Sequence, residues 1–176
     1  MSMSFKIGSS PIGEQHPPFI IAEMSGNHNQ SIEKALQIVD AAHEAGAHAI
    51  KLQTYTADTM TLNVRNEEFM IGEADSLWQG QNLYDLYGKA CTPWEWHKEL
   101  FDLAKKEGLI CFSTPFDNSA VDLLEELNCP IYKIASFENT DVNLIRKVAS
   151  TGKPMIVSTG MMELSEMDEM VRNARE

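Results

Sequence analysis

Two lysines lie inside apolar stretches of the sequence, where a charged side chain is unusual. Lys51 occurs in AIKLQ and Lys133 in IYKIA. Because an unpaired ammonium group is costly to remove from water, each lysine needs an anionic partner. That partner could be a glutamate, Glu23 or Glu138, or it could be the phosphate or carboxylate of a ligand. We favour a bound anion, because two such lysines occur with hydroxyl groups beside them.

Other polar side chains follow the apolar stretches where each stretch ends. They can bind a ligand or transfer a proton, and they are Glu23, Gln53, Ser113, Thr114, Ser136, Glu138, Ser158 and Thr159. Lys51 and Gln53 are two residues apart, so they would share one face of a strand. We expect the glutamates to stay ionised, because nearby positive charge favours a carboxylate. Spacing leaves open whether each glutamate acts as acid, base or cation ligand.

Alternating apolar and amphipathic segments position these residues. The predicted strands are 19–22, 48–53, 109–113, 131–135 and 155–157, and the predicted helices are 31–45, 92–106, 119–127, 141–150 and 164–176. Gly46 is expected to end the first helix in a left-handed conformation. The alternation predicts an α/β fold with a parallel sheet, either a barrel or a doubly wound sheet. Parallel strands bring their carboxyl ends to one face, where the polar side chains would converge.

The connection from Thr54 to Cys91 is too long for a plain loop between a strand and a helix. We interpret it as a functional segment or an inserted lid, whose aromatic residues either pack on the barrel or contact a substrate. At its end, the pattern Thr92-Pro93-Trp94-Glu95 predicts a capping box with Thr92 as the cap.

The histidines indicate no metal site by themselves. His28 follows the first predicted strand, where it could contact a substrate or cap the next helix through its neighbours. His43, His48 and His97 fall on predicted helix or strand positions, and we interpret them as structural.

Composition argues against several classes of protein. The net charge of −12 disfavours nucleic-acid binding, and three cysteines without CxxC spacing predict neither a disulfide framework nor a zinc cluster. No stretch has the length of a membrane span or the pattern of a signal peptide, so we expect a cytoplasmic protein without membrane partners. No glycine-rich nucleotide-binding loop follows any predicted strand.

Five motifs resemble those of a known family. They are FIIAEMSGNHNQS, AIKLQTYTADTMTL, FSTPF, YKIASFE and VSTGM, in this order. Together they resemble the sialic acid synthase family over nearly all of the chain from about Phe19 onward. The second motif and the stretch LYDLYGKACTPWEWH are more similar to pseudaminic acid synthases than to N-acetylneuraminate synthases.

The resemblance implies a (β/α)₈ TIM barrel, of which this chain holds about the first five βα units. It implies condensation of phosphoenolpyruvate with an open-chain N-acetylated amino sugar, a 6-deoxy diacetamido altrose in pseudaminic acid synthases, to give a nine-carbon 2-keto acid and phosphate. A divalent cation, Mn²⁺ or Mg²⁺, would polarise the aldehyde. Residues 1–176 would be the N-terminal part of the catalytic domain. The last three barrel units, with two metal-binding histidines, and a small antifreeze-like domain would be missing. We expect this chain alone to be inactive and the full-length protein to form a homodimer.

The resemblance also assigns roles to residues of this sequence. Lys51, Thr114 and Lys133 resemble ligands of the phosphoenolpyruvate carboxylate and neighbouring oxygens, and Ser136 and Ser158 resemble phosphate ligands. The residues expected at the sugar and metal region or in catalysis are Glu23, Gln53, Asn27, Tyr55 and Glu138, of which Glu138 would activate water.

Three alternatives stay open. One is an N-acetylneuraminate synthase that uses N-acetylmannosamine. Another is a different phosphoenolpyruvate-dependent aldose condensation, such as a keto-deoxy sugar acid synthase. The third is a non-catalytic half-barrel that binds an anion or assembles with another polypeptide.

Overall fold

The computed structural model describes residues 5–73 and 75–175. It begins with a hairpin that the sequence analysis did not predict, formed by the antiparallel strands β1 (Phe5–Ile7) and β2 (Ser10–Ile12). Ile7 is buried in one core cluster with Ala49 and Phe112, which lie at or near the start of two later strands. The hairpin therefore packs against the amino ends of the main sheet.

The main sheet has five parallel strands in the order in which they occur along the chain. The strands are β3 (Ile21–Glu23), β4 (Ala49–Thr54), β5 (Ile110–Pro115), β6 (Tyr132–Ile134) and β7 (Met155–Val157). The helices are α1 (Ile32–Glu44), α2 (Ala57–Met60), α3 (Leu83–Ala90), α4 (His97–Lys106), α5 (Asn118–Glu126), α6 (Val142–Ala149) and α7 (Leu164–Arg175).

This strand order decides between the two predicted architectures. A doubly wound sheet reverses its strand order partway, whereas the order here runs in one direction, as in a barrel. The chain is thus a curled half-barrel that holds the first five βα units of a (β/α)₈ barrel, which confirms the predicted fold class. Gly46 has the expected left-handed conformation, with a φ of 77°.

Successive side chains of β4 point to opposite faces of the sheet. Ile50 and Leu52 pack with buried residues of α1 and α4, so Lys51 and Gln53 lie on the opposite, concave face. Gln53 is aligned with Thr114 of β5, which places Thr114 on the same face. The concave face therefore carries a lysine, an amide and a hydroxyl group toward its carboxyl end.

The start of α4 differs from the predicted capping box. A 3₁₀ turn, Trp94–Trp96, precedes the helix and has no side-chain cap. Thr92 is 99% buried, and its hydroxyl group contacts Nε2 of His28 at 3.3 Å. The prediction that Thr92 caps this helix was wrong, because a contact with a distant buried ring engages its hydroxyl group.

His97 joins α4 to the sheet. Its ring is fully buried, and Nδ1 donates a hydrogen bond to the Pro93 carbonyl group at 3.1 Å. Nε2 lies 2.8 Å from the Thr54 hydroxyl group, which in turn lies 2.7 Å from the Ser113 hydroxyl group. A neutral ring that donates through Nδ1 must accept at Nε2, so we infer that Thr54 donates to it. His97 is therefore structural, as expected.

The long connection after β4 is ordered rather than a plain loop. It contains α2, a 3₁₀ turn at Glu67–Phe69, and α3, and an isolated bridge pairs Met70 with Asn82. The buried side-chain amide of Asn82 donates to the carbonyl groups of Val64 and Phe69, at 2.7 and 3.3 Å. Within the described ranges, no helix is long and apolar enough to cross a membrane.

Candidate active site

The first polar pair of the concave face joins β3 to β4. The two strands align Glu23 with Lys51, and the Lys51 ammonium group lies 3.4 Å from a Glu23 carboxylate oxygen. The Lys51 side chain is only 10% exposed, whereas that of Glu23 is 59% exposed. One of the two structural ion pairs considered from the sequence is therefore present, and its carboxylate remains open to solvent and to a ligand.

Lys133 has a different environment. Its ammonium group donates to the Ser158 hydroxyl group and to the Ile134 carbonyl group, both at 2.6 Å. No described carboxylate lies within 4.0 Å of it, so the ion pair with Glu138 that was considered from the sequence is not formed. Burial and then the positive charge of Lys51 lower the pKa of Lys133. Lys133 therefore presents a positive charge that is only partly neutralised.

Thr114 and Gln53 complete this part of the concave face. Thr114 is 98% buried and Gln53 is half-buried. Ser113, the neighbour of Thr114, points to the helical layer instead, because its hydroxyl group contacts Thr54. Ser113 is one of the polar residues at strand ends that the sequence predicts could act on a ligand. That prediction is wrong, because the alternation of the strand turns Ser113 away from the concave face.

Ser136 and Glu138 lie in the loop after β6. A Cβ atom placed on Gly160 would lie 3.5 Å from the Ser136 Cβ atom, so Ser136 borders the turn that follows Ser158. Within the described part of the chain, the buried Oε2 atom of Glu138 has no hydrogen-bond partner. Burial raises the pKa of Glu138 above its usual value, and Lys133 opposes this shift only partly. Lysine neighbours were expected to favour the ionised form, but at Glu138 the cost of burying the charge is larger.

Asn139, which follows Glu138, is a residue that sequence reasoning missed. Its side chain is 99% buried and donates to the carbonyl groups of Ser158 and Gly160. The only signal in the sequence was its position directly after Glu138. An asparagine in a predicted loop is usually solvated or caps a local turn.

Asn27 lines a groove of about 480 Å³ beside the end of β3. The loop after β3 forms one wall, and the other wall includes Trp78, Gln81 and Lys89 from the long connection. Asn27 is exposed, and its amide donates to the Met24 carbonyl group at 3.0 Å. The groove thus offers amide groups and an indole ring that is half-exposed.

The loop after β3 is held firmly. The Gln30 amide donates to the carbonyl groups of Lys89 and Cys91, at 2.9 and 2.7 Å. His28 is fully buried, accepts from the Gln30 backbone N–H at Nδ1, and has a pKa lowered by burial. The buried ring thus holds the loop in which Ser31, a near neighbour of His28, caps α1. This agrees with the second role predicted for His28, a contribution to the cap of the helix through its neighbours.

Tyr55 is placed differently from Asn27. It is 96% buried, and its ring packs edge-on against Tyr87 and Phe116, with centroids 6.0 and 5.2 Å apart. Burial raises the pKa of its hydroxyl group. These contacts fit the packing interpretation of the aromatic residues, and direct contact of Tyr55 with a sugar stays a prediction.

A complete metal site does not form within residues 5–73 and 75–175. No group of three or more histidine, cysteine, aspartate or glutamate side chains is close enough to hold a metal ion there. The Glu23 side chain is 59% exposed.

Comparison with known proteins relates this geometry to a family. The chain is 50% identical over 159 residues to pseudaminic acid synthase from Helicobacter pylori, which covers 90% of this chain and 46% of that protein. It is 49% identical over 149 residues to pseudaminic acid synthase from Campylobacter jejuni, covering 85% of this chain and 43% of that protein. The chain spans about half the length of the curated relatives it matches.

A solved structure has the same fold. The crystal structure of N-acetylneuraminic acid (sialic acid) synthetase from Leptospira borgpetersenii, in complex with citrate, superposes with a TM-score of 0.84 and 29% identity. The match covers 99% of this chain and 56% of that one. Residues 38–176 also match the family model described as NeuB family. The chain belongs to the NeuB family.

Proposed function

We propose that this chain forms the phosphoenolpyruvate-binding part of a nonulosonic acid synthase of the pseudaminic acid type. The complete enzyme would condense phosphoenolpyruvate with a 6-deoxy diacetamido hexose and release phosphate. In this proposal, residues 1–176 are the N-terminal part of the catalytic barrel, and the remaining barrel units and an antifreeze-like domain lie outside the chain. The similarity to two pseudaminic acid synthases supports this choice of sugar.

The observation that carries the proposal is that Lys51 and Lys133 lie on one concave face, since Tyr132 is aligned with Ser113 of the helical side. Among the described residues, Glu23 is the one carboxylate within 4.0 Å of either ammonium group, at 3.4 Å from Lys51. Phosphoenolpyruvate has a carboxylate and a phosphate, which match two separate positive charges. Lys51 and Thr114 would bind the carboxylate. Lys133 would bind the neighbouring oxygens, with Ser158 and Ser136 on the phosphate. The Lys133 ammonium group already contacts the Ser158 hydroxyl group, so a bound phosphate would meet both.

In this proposal the chain stabilises charge on the substrate and accepts one proton from the attacking water. The enol carbon of phosphoenolpyruvate attacks the aldehyde carbon, and water then adds to the carbon that bears the phosphate. Loss of phosphate leaves the keto group, so phosphoenolpyruvate, aldehyde and water give the 2-keto acid and phosphate. Glu138 is our candidate for the base that takes a proton from water, because a raised pKa brings a carboxylate closer to the value that suits a base near neutral pH. The lysines would stabilise the charge that develops on the substrate.

We propose that the sugar lies between Glu23 and the groove beside Asn27, with Gln53 toward its reactive end. A groove of about 480 Å³ has the size of a small-molecule site. Its amide groups suit acetamido substituents, and the exposed indole ring of Trp78 suits the apolar methyl group of a 6-deoxy sugar.

We propose that only the complete protein binds the divalent cation, Mn²⁺ or Mg²⁺. The described residues cannot hold the cation by themselves, because they provide no cluster of three ligands. Glu23 is the residue of this chain that we propose faces the cation.

We also propose that the complete protein is a cytoplasmic homodimer. The free cysteines at positions 91, 111 and 129 fit a reducing compartment.

A second candidate is an N-acetylneuraminate synthase that uses N-acetylmannosamine. The observation in its favour is the superposition with the Leptospira borgpetersenii sialic acid synthetase. Its sugar has a hydroxymethyl group where a 6-deoxy sugar has a methyl group. Turnover of N-acetylmannosamine but not of a 6-deoxy diacetamido hexose by the complete protein would favour this candidate.

The test is calorimetric titration of the chain with phosphoenolpyruvate, with and without Mn²⁺. We expect binding by the wild-type chain and loss of binding in Lys51→Met and Lys133→Met. Lys153→Met is the matched control, because Lys153 is also partly buried but pairs with Glu125. Equal affinity in all three variants, or no binding by a wild-type chain that is folded by circular dichroism, would overturn the proposed site in this chain.

A further inference from the structure

Asn139 connects the two loops that carry the proposed phosphate ligands. Its side-chain nitrogen donates to the Ser158 carbonyl group at 3.0 Å and to the Gly160 carbonyl group at 2.9 Å. A side-chain amide has two N–H groups, so both are used on the turn after β7. Asn139 itself lies in the loop after β6, directly after Glu138.

The turn that Asn139 holds has an unusual backbone. Met161, the residue after Gly160, has a φ of 62°, in the left-handed region that non-glycine residues rarely adopt. The Met161 side chain is 80% exposed, so packing of that side chain does little to stabilise this conformation. The buried amide of Asn139 donates hydrogen bonds to the carbonyl groups of Ser158 and Gly160, the residues that come shortly before Met161.

The same turn begins with Ser158. Its backbone N–H donates to the Ile134 carbonyl group at 3.1 Å, which continues the sheet. Its hydroxyl group receives the hydrogen bond from Lys133. Two contacts thus fix the backbone that carries this hydroxyl group. One is the hydrogen bond from the Ser158 N–H to β6, and the other is the hydrogen bond from Asn139 to the Ser158 carbonyl group.

We propose that Asn139 is a positioning residue for the anion site. Its two hydrogen bonds fix the turn that carries Ser158, so that the Ser158 hydroxyl group and the Lys133 ammonium group meet the same ligand oxygen. This inference rests on the proposed function for the identity of the ligand, phosphoenolpyruvate. Its geometric part, the control of the contact between Ser158 and Lys133, stands on the hydrogen bonds alone.

The binding test compares Asn139→Ala and Asn139→Asp with Asn82→Ala. Asn82→Ala is the matched control, because Asn82 is also buried and also donates to two carbonyl groups. Its two acceptors lie within the long connection and not in the turn after β7. We expect the dissociation constant for phosphoenolpyruvate to rise about tenfold in both Asn139 variants. Asn139→Asp keeps the side-chain shape but places carboxylate oxygens against two carbonyl groups. Asn82→Ala is expected to lower the melting temperature and leave the dissociation constant unchanged.

A second measurement needs no ligand. The Lys133 side-chain ¹³Cε resonance, followed by NMR as the pH rises, reports the contact with Ser158. We expect its titration midpoint to move in Asn139→Ala and not in Asn82→Ala. The comparison leaves out Asn139→Asp, because an added carboxylate would move the midpoint by its charge alone. If the wild-type chain binds no phosphoenolpyruvate, the proposed function fails, and the NMR titration still decides the role of Asn139. An unchanged Lys133 titration in Asn139→Ala, or equal loss of affinity in Asn82→Ala, would overturn the inference.

Discussion

At the scale of a single residue, the partly buried charge of Lys133 bears on the stability of the folded protein. The pKa of Lys133 is lowered in the folded protein, first by burial and then by Lys51. Because the pKa of this lysine is lower in the folded state than in the unfolded state, the unfolded state binds the proton more tightly. The resulting destabilisation is fully present below the lowered folded pKa, and it disappears as the pH rises above the unfolded value of about 10.4. At neutral pH the charge therefore costs stability.

We predict that Lys133→Met raises the free energy of unfolding at pH 7, by less than about 1 kcal/mol because the side chain is only partly buried. The variant keeps an apolar side chain of similar length and removes the charge. Urea denaturation measures the effect. Lys153→Met should have the opposite effect, because it breaks the ion pair with Glu125. Equal destabilisation by both substitutions would show that Lys133 is a structural lysine.

At the scale of an element, α4 is held to the sheet by a buried histidine. The ring of His97 contacts Thr54 of β4 and the Pro93 carbonyl group. Burial lowers its pKa, although hydrogen bonds to backbone groups oppose the shift. The neutral ring can accept from Thr54, and a protonated ring cannot. Protonation would therefore reverse the hydrogen bond with Thr54 and place a positive charge in a buried site, which costs stability.

We predict that this contact makes the protein sensitive to acid. Because the folded pKa of His97 is depressed, the stability it contributes is fully present above the unfolded pKa of about 6.5 and is lost as the pH falls through the folded value. Melting temperatures measured between neutral and mildly acidic pH should fall less steeply in His97→Gln. His28 also has a lowered pKa, so part of the slope should remain. A slope that is identical in the variant would contradict this role for His97.

At the scale of the whole molecule, the sheet has two open sides. Within the described residues, β3 pairs only with β4 and β7 only with β6. Unpaired edge strands are templates for association with another chain. Ile20 lies directly before β3 and is 52% exposed, which adds an apolar side chain to this edge.

We predict that the isolated chain self-associates through these edges. The sedimentation coefficient should rise with protein concentration, and Ile20→Lys should reduce the rise, because charge on an edge strand opposes pairing. Leu77→Lys is the control, since Leu77 is 91% exposed in the long connection, away from the sheet. A chain that sediments as a monomer at every concentration would show that its edges do not associate.

The sequence predicted the sheet and much of its concave face because these depend on short-range patterns. The alternation of apolar residues located the five main strands, with small shifts at their ends. The two-residue period of a strand placed Lys51 and Gln53 on one face. The order of the motifs indicated the family, which the comparison confirmed.

Only the tertiary structure decided which groups contact each other. Lys51 pairs with Glu23, whereas Lys133 contacts Ser158 rather than Glu138. Such partners depend on strand register and loop packing between positions far apart in the chain, which local patterns do not encode. The same reason explains the N-terminal hairpin, the buried role of Thr92 and the two hydrogen bonds of Asn139. The sequence by itself thus determined the elements and the face on which each strand residue lies, and packing between elements decided the partners of the charged and hydrogen-bonding groups.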